Sequence, residues 1–233
     1  MFLTRPIAAV DIATPRARVV HLDMRGVAFP FEPGQAIWIG AHGQPQRKPY
    51  SIASAPEDLS SEGRLQLLVG VDATGVAGTH LPLEAGVEID IEGPGGGFTF
   101  PVSPAERRFL FVAGGTGIAP LRSMLRHALT VPHESIGLMY SARLPEEHAY
   151  AAELQGMAEA GLIELRFTAT RVTADDAWTG GRGRMTQQDL APLVHDAHTL
   201  CFVCGPQALV DDVPGMLHAL GVLPECVRIE EWA

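Results

Sequence analysis

The 233-residue sequence has only three cysteines, no long apolar run and no cluster of basic residues, and each shortage excludes a class of function. Three thiols are one fewer than the four that hold a plant-type iron–sulfur cluster. No apolar run approaches the roughly 18 residues that a membrane-spanning helix needs. At most two Lys or Arg residues are adjacent and the formal net charge is −10, which argues against nucleic acid or an anionic membrane as a main partner.

The cysteine spacing and the start of the chain support two further expectations. Cys201 and Cys204 have the spacing of a redox or zinc motif, but they lie in the apolar run LCFVC, where residues three apart face opposite sides of a strand. His195 and His198 have no further ligands nearby in the sequence, so we expect no metal site. The N-terminal segment lacks a signal-peptide pattern, and we therefore expect a soluble, cytoplasmic protein without nucleic-acid or membrane partners.

The stretch FLFVAGGTGIAP, from Phe109 to Pro120, predicts a strand, a glycine turn and a helix. Five apolar residues run into the glycines, as in a strand that is buried on both faces. After Pro120 the apolar residues follow one helix face. The N–H groups at the start of that helix, with glycines that allow close approach, form a candidate phosphate site. The spacing departs from G-x-G-x-x-G, and a turn that binds no nucleotide remains the alternative.

The first half of the sequence consists of short alternating segments separated by glycine turns. Between Val87 and Glu92, Val, Ile and Ile alternate with Glu88, Asp90 and Glu92, as in an antiparallel strand with one face toward solvent. Several such strands predict a small closed barrel. We expect an N-terminal antiparallel β-barrel domain of Greek-key type at residues 1–103.

Three segments of this half carry more chemistry than a barrel requires. Arg47 to Ser54 places two cations, a proline-fixed backbone, an aromatic ring and hydroxyls close together, which suits a phosphate and a planar heterocycle. Gly75 to Leu81 offers N–H groups for a second phosphate contact. Gly93 to Phe98 is a turn that allows close approach. Each segment alone is also compatible with an ordinary barrel turn.

In the second half, apolar runs alternate with helical stretches, which predicts a parallel sheet covered by helices in a C-terminal α/β domain at residues 107–233. The runs are Phe109–Ala113, Ile136–Tyr140, Ile163–Thr170, Thr199–Cys204 and Val227–Ile229, and the helical stretches are Pro120–Thr130, Pro145–Ala160 and Gln207–Leu220. Pro214 predicts a kink or a broken start in the last helix. Ligands of such sheets bind beyond the carboxyl ends of the strands.

Six motifs occur in one order along nearly the whole chain: KPYS, GxxGTxL, GPxGxF, GGTGIAP, CGP and a C-terminal Glu-x-Trp. This order resembles the ferredoxin–NADP reductase superfamily. The resemblance implies a flavin-binding barrel, a nucleotide-binding α/β domain and a flavin-dependent NAD(P)H oxidoreductase. A hydride would pass from nicotinamide to bound FAD, and electrons would then pass to an acceptor such as a ferredoxin, a flavodoxin or an oxygenase component.

The resemblance also implies residue roles at the flavin. The Tyr50 ring would lie against the flavin and the Ser51 hydroxyl near its N5 atom, while Lys48 stands where the family usually has an arginine for the diphosphate. A lysine is a point charge without the planar fork of arginine, so Arg47 could share the phosphate. The remaining residues implied at the flavin are Pro49, Val69, Gly75, Gly78, Thr79 and Trp232.

At the pyridine nucleotide, the resemblance implies that the glycine turn holds the diphosphate. Cys204 would stand beside the nicotinamide, with Glu230 as the C-terminal carboxylate nearby, so that Ser51, Cys204 and Glu230 are the expected catalytic residues. The residues implied in nucleotide binding are Gly114, Gly115, Thr116, Gly117, Ser141, Arg143, Cys204, Gly205 and Pro206.

Several alternatives remain at the level of sequence. One is a free-flavin reductase, a subgroup of similar length and first motif that generally lacks the CGP-type ending. Another is a non-catalytic flavin-binding electron-transfer subunit of a larger complex, although such subunits often carry an iron–sulfur segment that this sequence does not have. FAD is expected over FMN from its frequency in the family. Arg143 and Ser141 would suit the 2′-phosphate of NADPH, whereas Arg143 could instead be a surface cation or stack on adenine, so NADH remains open.

Overall fold

The computed structural model describes residues 1–72, 74–77, 80–173 and 177–231. The chain divides into two compact units, Met1–Phe100 with Arg122–His127, and Pro101–Leu121 with Ala128–Ala233. This division assigns a short segment of the second half of the sequence to the first unit. The domain boundaries 1–103 and 107–233 therefore stay a prediction.

In the part of Met1–Phe100 that the structure describes, the elements are β1 Phe2–Thr14, β2 Ala17–Asp23, β3 Ala36–Ala41, β4 Lys48–Ser51, α1 Pro56–Glu62, β5 Arg64–Gly70 and β6 Glu88–Gly95. The strands form one antiparallel sheet in the order β4-β3-β6-β1-β2-β5. A bridge between Ile52 and Leu67 links the two ends of this order. The antiparallel, barrel-like fold predicted for the first half is confirmed.

Alternation along β6 explains the core of this unit. Ile89 and Ile91 are fully buried, and Glu88 and Glu92 are exposed, as the alternating pattern predicts. Asp90 is the exception, because it is buried although its side chain belongs to the polar face. Neighbouring polar side chains cover it.

The Asp90 carboxylate is held by four donors. Thr4 Oγ1 lies 2.8 Å and His42 Nδ1 2.8 Å from Oδ1, while the Gly43 N–H at 3.2 Å and Arg47 at 3.4 Å face Oδ2. The hydrogen bond from His42 is the largest cause that lowers the pKa of Asp90 to about 2. The same bond raises the pKa of His42 above its ordinary value.

The second unit contains a parallel sheet with helices between its strands. The bounds are β7 Arg108–Gly114, α2 Ile118–Ala128, β8 Ser135–Ala142, α3 Ala151–Glu159, β9 Glu164–Ala169, β10 Gly181–Arg182, α4 Gln187–Leu190, β11 Leu200–Gly205, α5 Gln207–Ala219 and β12 Val227–Glu231. The strand order is β10-β9-β8-β7-β11-β12, and all pairs are parallel. The α/β class predicted for the second half is confirmed.

The central strands of this sheet form its core. All residues of β11 are buried, and in β7 only Arg108 is partly exposed, as expected for strands covered on both faces. The Phe111 and Phe202 rings of these adjacent strands stack 5.5 Å apart. On one face the strands pack against Val213 and Leu217 of α5.

Two helix predictions were wrong in detail. The predicted helix Pro145–Ala160 is divided into a 3₁₀ turn at Pro145–Glu147 and α3, because Tyr150 has a left-handed backbone with φ 61°. The helix α5 runs without a break through Pro214, so the predicted broken start is absent and the alternative, a kink, stays a prediction. Within the described parts of the chain, no helix is long and apolar enough to cross a membrane.

The cluster around Asp90 predicts a pH-dependent contribution to stability. Because the fold lowers the pKa of Asp90 from 3.8, its contribution is present above about pH 4 and is lost as the pH falls toward 2. Because the fold raises the pKa of His42 from 6.5, its contribution is full below pH 6.5 and is lost as the pH rises through the raised value. The cluster should therefore stabilise the fold most between about pH 4 and 6.5.

Urea unfolding of the wild type and Asp90→Asn as a function of pH checks this expectation. The difference between the two unfolding free energies should be largest in that window and should shrink on both sides of it. Asp11→Asn is the matched control, since Asp11 also pairs with a histidine, His21 at 2.9 Å, but is 67% exposed. A difference for Asp90→Asn that is constant from pH 4 to pH 9 would contradict the assignment.

Candidate functional site

In the first unit, the Tyr50 ring on β4 is held in a fixed position. Its hydroxyl lies 2.8 Å from His80 Nε2, and the two rings stack at an interplanar angle of 13°. Burial raises the pKa of Tyr50. Burial, and then the charge of Lys48, lower the pKa of His80. A neutral His80 can therefore accept a hydrogen bond from the Tyr50 hydroxyl, which fixes a half-buried aromatic ring at the strand end.

The next residue on β4 is Ser51, whose hydroxyl is buried. Ser51 is 3% exposed, and its Oγ atom makes no hydrogen bond with any described residue. A buried hydroxyl that makes no hydrogen bond costs free energy. A hydroxyl with an unused donor and acceptor therefore directly follows an aromatic residue along β4, a combination that suits a polar heterocycle.

The two cations of the same segment have different surroundings. The Arg47 guanidinium faces Asp90 at 3.4 Å and lies 4.9 Å from the centre of the Phe2 ring, so Asp90 already engages its charge. Lys48 is exposed on β4, as is Pro49. Of the two cations, Lys48 is the more available to a phosphate.

The remaining flavin-binding predictions fall in three places. Val69 is fully buried in the core of the first unit, so a contact with a ligand at this position would come from its backbone. Gly75 has φ +85° in a loop whose N–H groups at Thr74 and Val76 donate to the Asp72 carboxylate. The other three, Gly78, Thr79 and Trp232, lie outside the described residues.

In the second unit, the carboxyl ends of β7 and β11 meet with no room for side chains. A Cβ atom at Gly117 would lie 2.4 Å from the Cys204 carbonyl oxygen, and one at Gly205 would lie 3.0 Å from the Gly114 Cα atom. A Cβ at Gly114 would lie 2.8 Å from Pro206 Cδ. The glycine turn and the Cys204–Pro206 segment, which the sequence separates, therefore share one edge of the sheet.

The turn Gly115–Gly117 is a 3₁₀ turn that leads directly into α2. Thr116 is exposed there, whereas Gly117 is buried. The first turn of α2 reads Ile-Ala-Pro-Leu, so it carries no acidic side chain to neutralise the positive end of the helix dipole. This arrangement suits an anionic group such as a diphosphate.

Cys204 and Glu230 lie side by side on the same edge. They are register partners on the parallel strands β11 and β12. Cys204 is fully buried, and Glu230 Oε2 is buried with no hydrogen-bond partner in the described part of the chain. Burial raises the pKa of Glu230 to about 7, so a substantial fraction of this carboxyl carries a proton at neutral pH.

The other cysteines belong to the core. None of the three cysteines, all of which are described, forms a disulfide. Burial raises the pKa of Cys201 to about 12, which keeps it a thiol. Within residues 1–72, 74–77, 80–173 and 177–231, no group of three or more His, Cys, Asp or Glu is arranged to hold a metal ion.

Beyond the end of β8, Arg143 makes a two-pronged ion pair. Its Nε and Nη2 atoms donate to the two carboxylate oxygens of Glu147 at 2.9 Å and 2.7 Å. The Glu147 side chain is only 13% exposed, which holds the pair in place. Ser141, the register partner of Gly114, is partly exposed at the same edge.

Three residues that belong to these sites were not identified from the sequence. Each of them bonds to a predicted site residue. His80 bonds to Tyr50 and Glu147 to Arg143. The Tyr140 hydroxyl donates to the Gly115 carbonyl oxygen at 3.0 Å. His80 is 30 positions from Tyr50, and Tyr140 is 25 from Gly115, so no local pattern connects them. Glu147 has a local signal, the spacing of four from Arg143, but it lies in the stretch Pro145–Ala160 that the sequence predicts as helix.

Comparison with known sequences identifies relatives along almost the whole chain. A family model described as the oxidoreductase NAD-binding domain matches residues 111–214. Ferredoxin–NADP reductase B of Sorangium cellulosum strain So ce56 is 34% identical over 241 residues, which cover 97% of this chain and 96% of that protein. The glycine betaine monooxygenase reductase subunit of Pseudomonas aeruginosa strain UCBPP-PA14 is 29% identical over 201 residues, 84% of this chain and 54% of that protein.

Solved structures share the same fold. The ferredoxin reductase in carbazole 1,9a-dioxygenase superposes with a TM-score of 0.81 at 21% identity, covering 100% of this chain and 70% of that chain. A ferredoxin NADP⁺ reductase from Neisseria gonorrhoeae with bound FAD and NADP gives a TM-score of 0.80 at 18% identity, covering 99% of this chain and 98% of that chain. At these identities the likeness shows the fold.

Proposed function

This chain belongs to the ferredoxin–NADP reductase superfamily, and on that premise we propose that it passes a hydride from NAD(P)H to bound FAD and then electrons to a separate acceptor. The observation that carries the proposal is the buried Ser51 hydroxyl, which has no hydrogen-bond partner among the described residues and follows the fixed Tyr50 along β4. When bound, the flavin supplies the acceptor atom for the hydride. The residues of the chain supply position and polarity.

The residues of the first unit fit a flavin. Tyr50 would cover the ring system, the Ser51 hydroxyl would hydrogen-bond near N5, and the exposed Lys48 would face the diphosphate. Arg47 would serve the flavin indirectly, because its pairing with Asp90 anchors the segment that precedes β4. The remaining proposed flavin contacts from the family resemblance are Pro49, Val69, Gly75, Gly78, Thr79 and Trp232, and FAD is proposed over FMN.

The residues of the second unit fit a pyridine nucleotide. The turn from Gly114 to Gly117 would hold the diphosphate through its N–H groups. Cys204, Gly205 and Pro206 would shape the nicotinamide pocket. Glu230 holds a proton on its buried carboxyl in part of the population at neutral pH, which limits negative charge beside the nicotinamide.

The proposed partner is a protein electron acceptor. The relatives include a ferredoxin–NADP reductase and the reductase subunit of a glycine betaine monooxygenase. We therefore propose a ferredoxin, a flavodoxin or an oxygenase component as the acceptor. A cytoplasmic location is part of the same proposal, supported by three cysteines that form no disulfide.

The first prediction concerns Ser51→Ala. Because the Ser51 Oγ atom has no partner among the described residues, its removal should not lower the melting temperature of the flavin-free protein. Anaerobic stopped-flow reduction of the bound flavin by NAD(P)H should be slower by at least about tenfold, since a donor at the reacting atom is lost.

Ser54→Ala is the matched control. Ser54 is equally buried, but its hydroxyl accepts a hydrogen bond from the Gln66 N–H at 3.0 Å. This variant should melt at a lower temperature and reduce its flavin at the wild-type rate. Ser51→Ala that reduces its flavin as fast as wild type would refute the role of Ser51.

The second prediction concerns the choice of nucleotide. A 2′-phosphate that approaches Arg143 must compete with the Glu147 carboxylate, which already takes two of its donors. We therefore propose that Glu147 disfavours NADPH relative to NADH. Glu147→Gln should lower the KM for NADPH about fivefold, because it removes a competing charge from Arg143, and should leave the KM for NADH nearly unchanged.

Arg143→Ala is the reciprocal variant. It should raise the KM for NADPH about tenfold and change that for NADH little. Steady-state assays with ferricyanide as the electron acceptor give the KM for NADPH and the KM for NADH in each of the two variants. Equal changes for NADPH and NADH in either variant would show that the pair serves a part common to the two nucleotides.

A further inference from the structure

We propose that Tyr140 is a positioning residue for the nucleotide diphosphate. Its hydroxyl holds the peptide between Gly115 and Thr116 so that the Thr116 N–H faces outward from the sheet. The inference rests on the proposed function, because it assigns to a buried side chain the preorganisation of the turn that would hold the diphosphate.

The hydroxyl of Tyr140 bridges two segments of the second unit. It donates to the Gly115 carbonyl oxygen at 3.0 Å and accepts from the Ala149 N–H at 3.1 Å. Tyr140 is the register partner of Ala113, the residue that precedes Gly114 on the neighbouring strand. The hydroxyl thus links the turn after β7 to the segment just before α3.

The ring of Tyr140 is fixed by aromatic neighbours. His148 meets it edge-on with ring centres 4.9 Å apart, and Phe167 lies at 6.0 Å. Tyr140 is fully buried, and burial raises the pKa of its hydroxyl, which keeps the proton on the donor. A rigid, protonated phenol is therefore aimed at one carbonyl group.

Holding the Gly115 carbonyl also orients the next N–H group. In a planar trans peptide, the C=O of one residue and the N–H of the next point in opposite directions. The Gly115 carbonyl points to the Tyr140 hydroxyl and also accepts from the Ile118 N–H, so both of its lone pairs are used. The Thr116 N–H must then point the other way, and Thr116 is exposed.

Side-chain packing does not hold the turn at Gly115. This glycine has φ +55°, and no heavy atom that the structure describes, beyond its chain neighbours, lies within 4 Å of the position that a Cβ would take. Glycine in open space is the most flexible element of a chain. The Tyr140 hydrogen bond is therefore the contact that restricts this peptide from the sheet side.

The experiment compares wild type with Tyr140→Phe, which removes only the hydroxyl, in the flavin-loaded protein. Isothermal titration with ADP-ribose, which carries the diphosphate but no nicotinamide, should give a Kd about fivefold higher in the variant, the effect of about one hydrogen bond. Flavin content should be unchanged. The limiting rate of flavin reduction at saturating NAD(P)H should also be unchanged, because the chemistry does not involve Tyr140.

Thr199→Val is the matched control for loss of a buried hydroxyl. Thr199 is 1% exposed, bonds to Asp196 and precedes β11 at the opposite edge of the sheet. It should lower the melting temperature without changing the Kd for ADP-ribose. An unchanged Kd in Tyr140→Phe, or a fall in the limiting rate without a change in Kd, would overturn the inference.

A measurement on the wild type keeps the inference testable if Tyr140→Phe does not fold. The amide signal of Thr116 in ¹⁵N NMR spectra should shift on addition of ADP-ribose, and a signal that does not move would overturn the inference. Failure of the proposed function gives a different result from failure of the Tyr140 inference. A wild-type protein that binds neither ADP-ribose nor NAD(P)H contradicts the function, whereas equal binding by wild type and Tyr140→Phe contradicts only the role of Tyr140.

Discussion

The second unit depends on backbone contact at the carboxyl edge of its parallel sheet. The end of β11 approaches the glycine turn so closely that a single methyl group at Gly117 would meet the Cys204 carbonyl oxygen at 2.4 Å. Glycine is the residue that satisfies this constraint without displacing a strand. The contact brings a helix start with no acidic residues, a buried thiol and a carboxyl with a raised pKa to one edge, which is where parallel sheets bind their ligands.

In the first unit, the candidate site depends on side chains that hydrogen bonds and an ion pair hold in position without a ligand. His80 holds the Tyr50 hydroxyl, and Asp90 holds Arg47, so an aromatic ring and the segment before β4 are both set in position. By contrast, the buried Ser51 hydroxyl has no hydrogen-bond partner among the described residues. A site of this kind gains affinity because little side-chain entropy remains to be lost on binding.

The sequence was sufficient for the fold class because periodicity is a local property. Alternation in β6 and the apolar run of β7 predicted one antiparallel and one parallel sheet, and the ordered motifs predicted the family. The sequence was insufficient where a residue contacts a partner that is far away along the chain. The burial of Asp90 depends on Thr4 and His42, and the partners of Tyr50 and Gly115 are 30 and 25 positions away. The division of the helix predicted at Pro145–Ala160 depends on the left-handed backbone of Tyr150, which sequence periodicity does not reveal.

The most direct test of the account is the cofactor content and activity of the purified chain. The account predicts a yellow protein with one FAD per chain, and its flavin should bleach anaerobically with NADH or NADPH and reoxidise with ferricyanide. A chain that purifies without flavin, does not bind added FAD and oxidises neither nucleotide would contradict it. A chain that holds no flavin but reduces FMN or FAD free in solution would contradict bound FAD as the hydride acceptor.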